Sequence, residues 1–246
     1  MKLIILRLVL LLTSLLLGSC LSGREEFWFE RDGSGSLQAE YRLPNFAISS
    51  LGGDEKLRKT VADYFAKEPG VVLETFSIEK NGSESRLRLS AKFDSVLQLA
   101  KLLDHSVHQD ESSGPSLPEP MVKLLGDVNV QRSGMNVDFK RRIDPREVFA
   151  GGLVTPTAKQ MQGYQLEYIM HLPTRVSQSN AHQVLDDGHT LVWNYELADS
   201  MKHPVQTNFV APIPIPPWVW LMVGILTTAI AWLVRRWFTR RTLSPV

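Results

Sequence analysis

The chain has 246 residues, a formal net charge of +1, 43% hydrophobic residues and one cysteine. A single cysteine excludes an internal disulfide and a zinc site built from several thiolates. All 26 acidic residues lie between residues 21 and 212, whereas six of the 27 basic residues lie outside that range, so this central part carries a charge of −5. An acidic body is a poor nucleic-acid binder, because neutralising phosphates requires a basic surface. We therefore expect no nucleic-acid partner.

The N-terminal segment has the layout of a secretory signal peptide. Lys2 and Arg7 precede an apolar run from Leu8 to Leu17, which only two hydroxyl residues interrupt. This run is about half as long as a bilayer-spanning helix needs to be, which favours a cleaved signal over a transmembrane helix. We predict a lipoprotein-type signal peptide over residues 1–19.

The end of this segment resembles the lipobox of bacterial lipoproteins. The matching residues are Leu17, Gly18, Ser19 and Cys20. In a lipobox, a leucine and two small residues direct lipid attachment to the cysteine and cleavage just before it. The resemblance implies that Cys20 is the first mature residue and carries acyl chains such as palmitate, each methylene contributing about 0.8 kcal/mol to anchoring. A buried core thiol is the alternative reading of Cys20.

Hairpins and two helices dominate the first half of the body. Turn residues at Asp32-Gly33 and Asn81-Gly82 separate runs of alternating apolar residues, which predicts two antiparallel hairpins. In the second hairpin the apolar residues are Leu87, Leu89, Ala91 and Phe93. The intervening segment 54–70 places Leu57, Val61, Tyr64 and Phe65 on one helical face. A second helix is predicted over 94–106, with Val96, Leu99, Ala100 and Leu103 on one side.

The second half of the body is mainly β-structure. A polar, proline-bearing segment over 108–120 predicts a linker or surface loop, and the domain can subdivide near 110–120. A third hairpin is predicted around Ser133-Gly134, followed by a short helix over 144–153. Three further strands are predicted over 163–173, 190–197 and 205–212. We therefore predict an α+β fold over residues 20–211, with helices packed on antiparallel hairpins.

The C-terminal segment has the composition of a membrane-spanning helix. Residues 218–234 contain no charge and would rise about 25 Å as a helix. Tryptophans favour the membrane interface, and basic residues mark the cytoplasmic side. The anchor residues on this reading are Trp218, Trp220, Trp232, Arg235, Arg236, Arg240 and Arg241. We predict a proline-rich stand-off over 212–217, a transmembrane helix over 218–237 and a cytoplasmic tail over 238–246. The protein would then lie in the cytoplasmic membrane, lipid-anchored at Cys20 and single-pass, with its bulk on the extracytoplasmic side.

Four features together resemble the LppM-like bacterial envelope lipoproteins. They are the lipid cysteine, the hairpin opening with Asp32-Gly33-Ser34-Gly35, a late block over 172–197, and the C-terminal helix ended by arginines. The block residues that carry the resemblance are Leu172, Pro173, Ser179, Asn180 and Trp193. Membership would imply an envelope protein that binds lipid or glycolipid.

The sequence contains no familiar catalytic motif: no G-x-S-x-G, H-E-x-x-H, Walker or dinucleotide-binding pattern is present. His105 and His108 could hold a metal, but a solvated helix end is the plainer reading, and we predict no metal site. The basic run from Lys140 to Arg146 could meet anionic head groups, although a solvated strand end is favoured. Asp186-Asp187-Gly188 predicts a hairpin turn. We expect no enzyme and no cofactor.

Two functional hypotheses follow from these observations. In the first, the exposed domain binds lipid or another amphiphile of the envelope between its sheet and helices, with membrane lipids as partners. The aromatic residues that would line such a space are Phe27, Phe29, Phe76, Phe93, Trp193 and Tyr195. The same aromatics would serve in a closed core. In the second hypothesis, the domain docks another envelope protein through a sheet edge and takes no small ligand.

Overall fold

A computed structural model describes residues 22–67, 69–103, 123, 125–150, 157–159, 161–214 and 217–241. Several predictions lie outside these residues. They concern the signal peptide over 1–19, the lipobox residues Leu17 to Cys20, the histidines His105 and His108, and the linker over 108–120. The described chain divides into two compact units, one ending at Ile213 and the other beginning at Pro214.

Seven strands form one sheet in the order β3-β4-β2-β1-β7-β10-β9. Their bounds are β1 Ser22–Phe29, β2 Gly35–Pro44, β3 Val71–Asn81, β4 Glu84–Phe93, β7 Gln165–His171, β9 Gln183–Leu185 and β10 Thr190–Glu196. A second sheet has the order β5-β6-β11-β8. Its strands are β5 Asp127–Ser133, β6 Asn136–Ile143, β8 Gln178–Ser179 and β11 Val205–Pro212.

Six α-helices are present in the described part of the chain. They are α1 Asn45–Ser50, α2 Asp54–Phe65, α3 Val96–Leu103, α4 Pro145–Ala150, α5 Leu197–Ser200 and α6 Pro217–Arg241. The residues that make α2 amphipathic are buried as predicted, with Leu57 and Val61 at most 1% exposed. A 3₁₀ turn, Asp186–Gly188, joins β9 to β10.

The three predicted hairpins are confirmed. β1 pairs with β2, β3 with β4, and β5 with β6, each in antiparallel register. Alternation explains the result in β4, where Leu87, Ala91 and Phe93 face the core and Arg88 and Lys92 face solvent. The turn at Asn81-Gly82 works because Gly82 adopts a positive φ of 61°, which costs glycine little.

The α+β class is confirmed, but the predicted antiparallel sheet contains one parallel strand pair. β1 and β7 pair in parallel, with Glu25 opposite Tyr168, so the seven-stranded sheet is mixed. Hairpin signals specify only neighbouring antiparallel strands. The β1–β7 pairing joins segments about 140 residues apart, and alternation within a strand does not reveal the direction of a distant partner.

The core lies on the inner face of the seven-stranded sheet. α2 and α3 cover one part of this face, and the four-stranded sheet covers the part nearer β7 and β10. Phe139 of β6 stacks on Phe209 of β11 with ring centroids 5.0 Å apart. Trp193 of β10 and Met170 of β7 are fully buried. This layering places a sheet floor under two helices, and the candidate site lies there.

The predicted C-terminal transmembrane helix is wrong. Within the described residues, no helix combines the length and the apolar character that crossing a membrane requires, and the predicted single-pass attachment has no support. The segment does form a helix, α6, with Ile225 and Trp232 more than half exposed. Its charge-free part, residues 217–234, is eighteen residues long, against about 20 for a typical span, and contains Gly224, Thr227 and Thr228.

Candidate functional site

An apolar cavity lies between the inner face of the seven-stranded sheet and the helices α2 and α3. Its volume is about 80 Å³ and its exposed lining is almost entirely apolar. The sheet contributes Glu25, Phe27, Leu37, Ala39, Tyr41 and Leu89. The helices contribute Val61, Tyr64, Phe65, Leu102 and Leu103, and Leu125 completes the wall.

The cavity exists because a small side chain stands in the middle of the sheet floor. Ala39 of β2 lies between Glu25 of β1 and Leu89 of β4 in one row across the three strands. Its neighbours along the strand, Leu37 and Tyr41, are much larger. A methyl group at this position does not reach α2, so a space remains that a leucine would fill.

Glu25 on the cavity wall belongs to a buried ion pair between the two sheets. The guanidinium of Arg141 donates to Glu25 from Nη1 to Oε2 at 2.5 Å and from Nη2 to Oε1 at 3.2 Å. The two side chains are 1% and 5% exposed. Arg141 Nε also donates to the carbonyl of Leu125 at 2.8 Å, and the Tyr41 hydroxyl donates to Glu25 Oε1.

The protonation states of this cluster follow from its burial. Burial alone would lower the pKa of Arg141, but the adjacent carboxylate of Glu25 outweighs it, and the pKa lies above its usual value. Burial and the same carboxylate raise the pKa of Tyr41 well above its usual value. Burial likewise raises the pKa of Tyr168, over whose ring the Arg141 guanidinium lies at 5.1 Å. The cluster therefore holds one guanidinium and neutral phenols.

A larger concavity, of about 400 Å³, lies on the outer face of the same sheet. One row of its floor crosses four strands through Glu26, Gln38, Ser90 and Thr75. Its charged residues pair with one another, as Arg24 does with Glu26 at 3.0 Å. We take the inner cavity as the candidate site because its lining is almost wholly apolar and it is enclosed between elements, whereas the outer groove is more open and has a mixed polar and apolar lining.

A hydroxyl, an imidazole and a carboxylate lie in line beside the outer groove. His171 Nδ1 is 3.1 Å from Thr190 Oγ1, and His171 Nε2 is 2.9 Å from Glu26 Oε1. The order resembles that of a nucleophile, a base and an acid. However, the Thr190 hydroxyl donates its proton to Asp186 Oδ2 at 2.6 Å, and Thr190 is 6% exposed. The threonine is thus held as a hydrogen-bond link between strands.

This network makes the domain acid-sensitive through Glu26. Partial burial alone would raise the pKa of Glu26, but hydrogen bonds from His171 and Arg24 hold it below its usual value. A lowered folded-state pKa contributes stability above the unfolded pKa of about 4.3, and that stability is lost as the pH falls through the folded value. We expect Glu26→Gln to lower the melting temperature at pH 7 and to flatten its decline below pH 5. The exposed Glu55→Gln is the control, and an unchanged acid profile in Glu26→Gln would contradict the assignment.

The late block of the sequence connects the two sheets. The Trp193 indole Nε1 donates to Asn180 Oδ1 at 2.8 Å, and the same oxygen accepts the backbone N–H of Asn208 in β11. The Ser179 hydroxyl donates to the Asn208 carbonyl at 3.3 Å. Leu172 is buried and hydrogen-bonds through its N–H to His189, and Pro173 follows it in the chain. These residues are structural links and do not line the cavity.

The other predicted site residues are dispersed. Of the six aromatics, Phe27 lines the cavity, whereas Phe29, Phe76, Phe93 and Tyr195 pack elsewhere on the core. The prediction that the basic run from Lys140 to Arg146 is a solvated strand end is wrong at Arg141, which is buried against Glu25. The predicted anchor residues all fall within the range of α6: Trp218, Trp220, Trp232, Arg235, Arg236, Arg240 and Arg241.

The sequence reading missed Glu25, Ala39 and Arg141. A signal for two of them was present, because Glu25 stands between Gly23 and Phe27 and Arg141 between Phe139 and Ile143, all on inward-facing positions. Opposite charges at two inward positions indicate a buried pair. No sequence signal separates Ala39 from the other small strand residues.

No family model matches the chain, and no curated protein matches it. Among solved structures, the chain is similar to the NMR structure of the folded domain of LppM from Mycobacterium tuberculosis. The TM-score is 0.44 and the sequence identity 14%, over 81% of this chain and 93% of that one. A likeness this weak defines neither a family nor a function.

Proposed function

We propose that the domain binds the apolar part of an amphiphile in the cavity between its sheet and helices. The observation that carries this proposal is the almost wholly apolar space beneath α2 and α3, left open by Ala39. Tightly packed domains rarely leave voids larger than a water, so a space of this size in the middle of a core calls for an occupant or a function. An envelope amphiphile is the occupant that matches the predicted lipidation at Cys20.

The size of the cavity sets how much of the ligand it takes. Pockets that enclose a drug-sized ligand measure about 300–1,000 Å³, against about 80 Å³ here. The cavity therefore takes a short length of one acyl chain, with the rest of the molecule outside. A cavity of about 150 Å³ holds the six carbons of benzene, so this space holds about three methylenes. At roughly 0.8 kcal/mol each they contribute about 2.4 kcal/mol before ordering costs. Binding by the cavity alone is therefore weaker than millimolar, and the ligand exchanges readily.

We propose binding without chemical conversion. The polar groups on the cavity wall, Glu25, Tyr41 and Tyr64, are hydrogen-bonded to protein groups, so none is poised as a nucleophile. The arrangement that resembles a catalytic triad, at Thr190 and His171, lies on the other face of the sheet.

Filling the cavity is the direct test. We expect Ala39→Leu to weaken binding of a fluorescent fatty acid at least tenfold, because the added side chain occupies the space that the acyl chain would take. The melting temperature should stay equal or rise, since the change fills a void. Titrations use the full chain held in an amphipathic polymer.

Ala62→Leu is the matched control, because it makes the same substitution on the exposed side of α2. It should bind as the wild type does. Binding by Ala39→Leu with wild-type affinity, or no saturable binding by the wild type, would overturn the proposal.

The second candidate function is docking of an envelope protein at a sheet edge. The observation that favours it is β9, one of the two edge strands of the seven-stranded sheet, all of whose residues are exposed. Val184 and Leu185 are 49% and 46% exposed there. Exposed apolar edge strands are templates for strand addition by another chain. Failure of the cavity test would favour this function.

We also propose that lipid on Cys20 holds the domain at an envelope membrane on the extracytoplasmic side. The support is the lipobox sequence from Leu17 to Cys20 after an apolar run. We expect the mature protein to begin at Cys20 with a mass increased by acyl groups. Mass spectrometry of the mature N-terminus checks this, and an unmodified cysteine or a retained Met1 would contradict it.

A further inference from the structure

We infer that the ligand enters the cavity tail first, as a single unbranched chain, and that the site does not distinguish amphiphiles by the charge of their head groups. This inference rests on the proposed function and concerns the same cavity. It follows from the hydrogen-bond inventory of the wall, from the charge balance of the buried pair and from the shape that Ala39 leaves.

The wall offers no polar group that is waiting for a ligand. Three of its residues carry polar side chains: Glu25, Tyr41 and Tyr64. Both oxygens of Glu25 accept from Arg141, and Oε1 also accepts from Tyr41. The Tyr64 hydroxyl donates to the carbonyl of Leu102. Each hydroxyl has thus already donated its one proton within the protein, and a ligand head inside the cavity would find no donor.

The charge balance of the wall also keeps a head group out. Glu25 and Arg141 neutralise each other in a site where their side chains are 5% and 1% exposed. A carboxylate or an ammonium group inserted beside them would be a third, unpaired charge away from water. The desolvation cost of an unpaired buried charge is larger than the gain from burying a few methylenes. The head therefore stays in water whichever sign it carries.

The shape of the space restricts the tail as well. The space stands above Ala39 and is bounded by the rings of Phe27, Tyr64 and Phe65. A volume of about 80 Å³ holds a short linear segment, which can carry a group as small as a three-membered ring, and leaves no room for a bulky branch or for a ring of five or more atoms. The ligand class is thus a straight-chain amphiphile inserted by its methyl end.

Photo-crosslinking of the full chain tests this orientation. The probes are three dodecyl amphiphiles with a diazirine at the last carbon and with carboxylate, trimethylammonium or maltoside heads. A second set carries the diazirine next to the head. Peptide mass spectrometry then locates the labelled residues, and Ala39→Leu provides the blocked cavity.

We expect all three tail-labelled probes to mark cavity residues such as Phe65, Leu89 and Leu103, with yields within about threefold of one another. Ala39→Leu should reduce these yields at least tenfold, and the head-labelled probes should not mark the cavity. Labelling of the cavity by head-labelled probes, or by a single head class, would overturn the inference and leave the proposed function standing. No cavity labelling by any probe would overturn both.

Discussion

Replacing Arg141 by Met is expected to lower the free energy of unfolding by about 3–5 kcal/mol. The change removes the guanidinium that neutralises Glu25 and leaves that carboxylate in a site that is 5% exposed. Breaking a buried pair by removing one partner costs this much because the remaining charge has lost its solvent and its partner. Two further contacts are lost, the bond to the Leu125 carbonyl and the contact with the Tyr168 ring.

The double variant Glu25→Leu, Arg141→Met gives the sharper result. Replacing both members of a buried pair by apolar groups of similar volume is often neutral or stabilising, so we expect the double variant to be more stable than either single variant. The double-mutant cycle then measures the coupling between the two sheets through this pair. Chemical denaturation followed by circular dichroism supplies the free energies.

Lys140→Met is the control for this cycle. Lys140 precedes Arg141 in β6 but faces solvent, where it pairs with Asp138 at 2.8 Å. Exposed pairs of this kind contribute about 1 kcal/mol or less, so its effect should be small. A similar loss in Lys140→Met and Arg141→Met, or a double variant that is less stable than both singles, would contradict the assignment.

Arg141 also shows where a sequence reading of this fold fails. The run from Lys140 to Arg146 reads as one basic surface because its charges are adjacent. A strand sends successive side chains to opposite faces, so Lys140 and Arg142 point outward while Arg141 lies with Phe139 and Ile143 on the buried face. The strand was predictable from the sequence. The pairing of Arg141 with Glu25, 116 residues earlier in the chain, depends on how the two sheets are placed and was not predictable.

Local structure was predictable because it depends on residues close together in the sequence, and the cavity was not predictable because it does not. The hairpin at Asn81-Gly82 and the amphipathic face of α2 depend on residues close together in sequence. A cavity depends on how far α2 stands from β2, which is set by all the side chains between them. Ala39 and Ala91 look alike in the sequence, yet only Ala39 lines the empty space.

The C-terminal helix illustrates a different limit. Its apolar composition, flanking tryptophans and terminal arginines favoured a membrane span in the sequence reading. The helix itself formed as predicted, from Pro217 to Arg241. Composition alone overestimated its apolar length, because Gly224 and the two threonines at 227 and 228 weaken a stretch that is already short.

Trp193→Ala is expected to lower the free energy of unfolding by about 3–5 kcal/mol. Trp193 is fully buried in β10, and truncating a buried tryptophan removes its apolar burial and leaves a cavity. The change also removes the hydrogen bond from the indole to Asn180 Oδ1. Asn180 further donates from Nδ2 to the Gln206 carbonyl at 2.8 Å, so it joins Trp193 to β11 of the other sheet.

Trp193→Phe separates the two contributions. Phenylalanine keeps much of the ring in the core but cannot donate to Asn180, whose oxygen still accepts the backbone N–H of Asn208. We expect Trp193→Phe to lower the free energy of unfolding by roughly 1–3 kcal/mol, because of the volume change and the lost hydrogen bond. This loss is smaller than the one expected for Trp193→Ala. Chemical denaturation followed by circular dichroism ranks these variants.

Trp28→Ala is the control, since Trp28 lies on the outer face of the sheet and stacks on His171. If Trp28→Ala lowered the free energy of unfolding as much as Trp193→Ala does, the inner face would not be what holds the two sheets together.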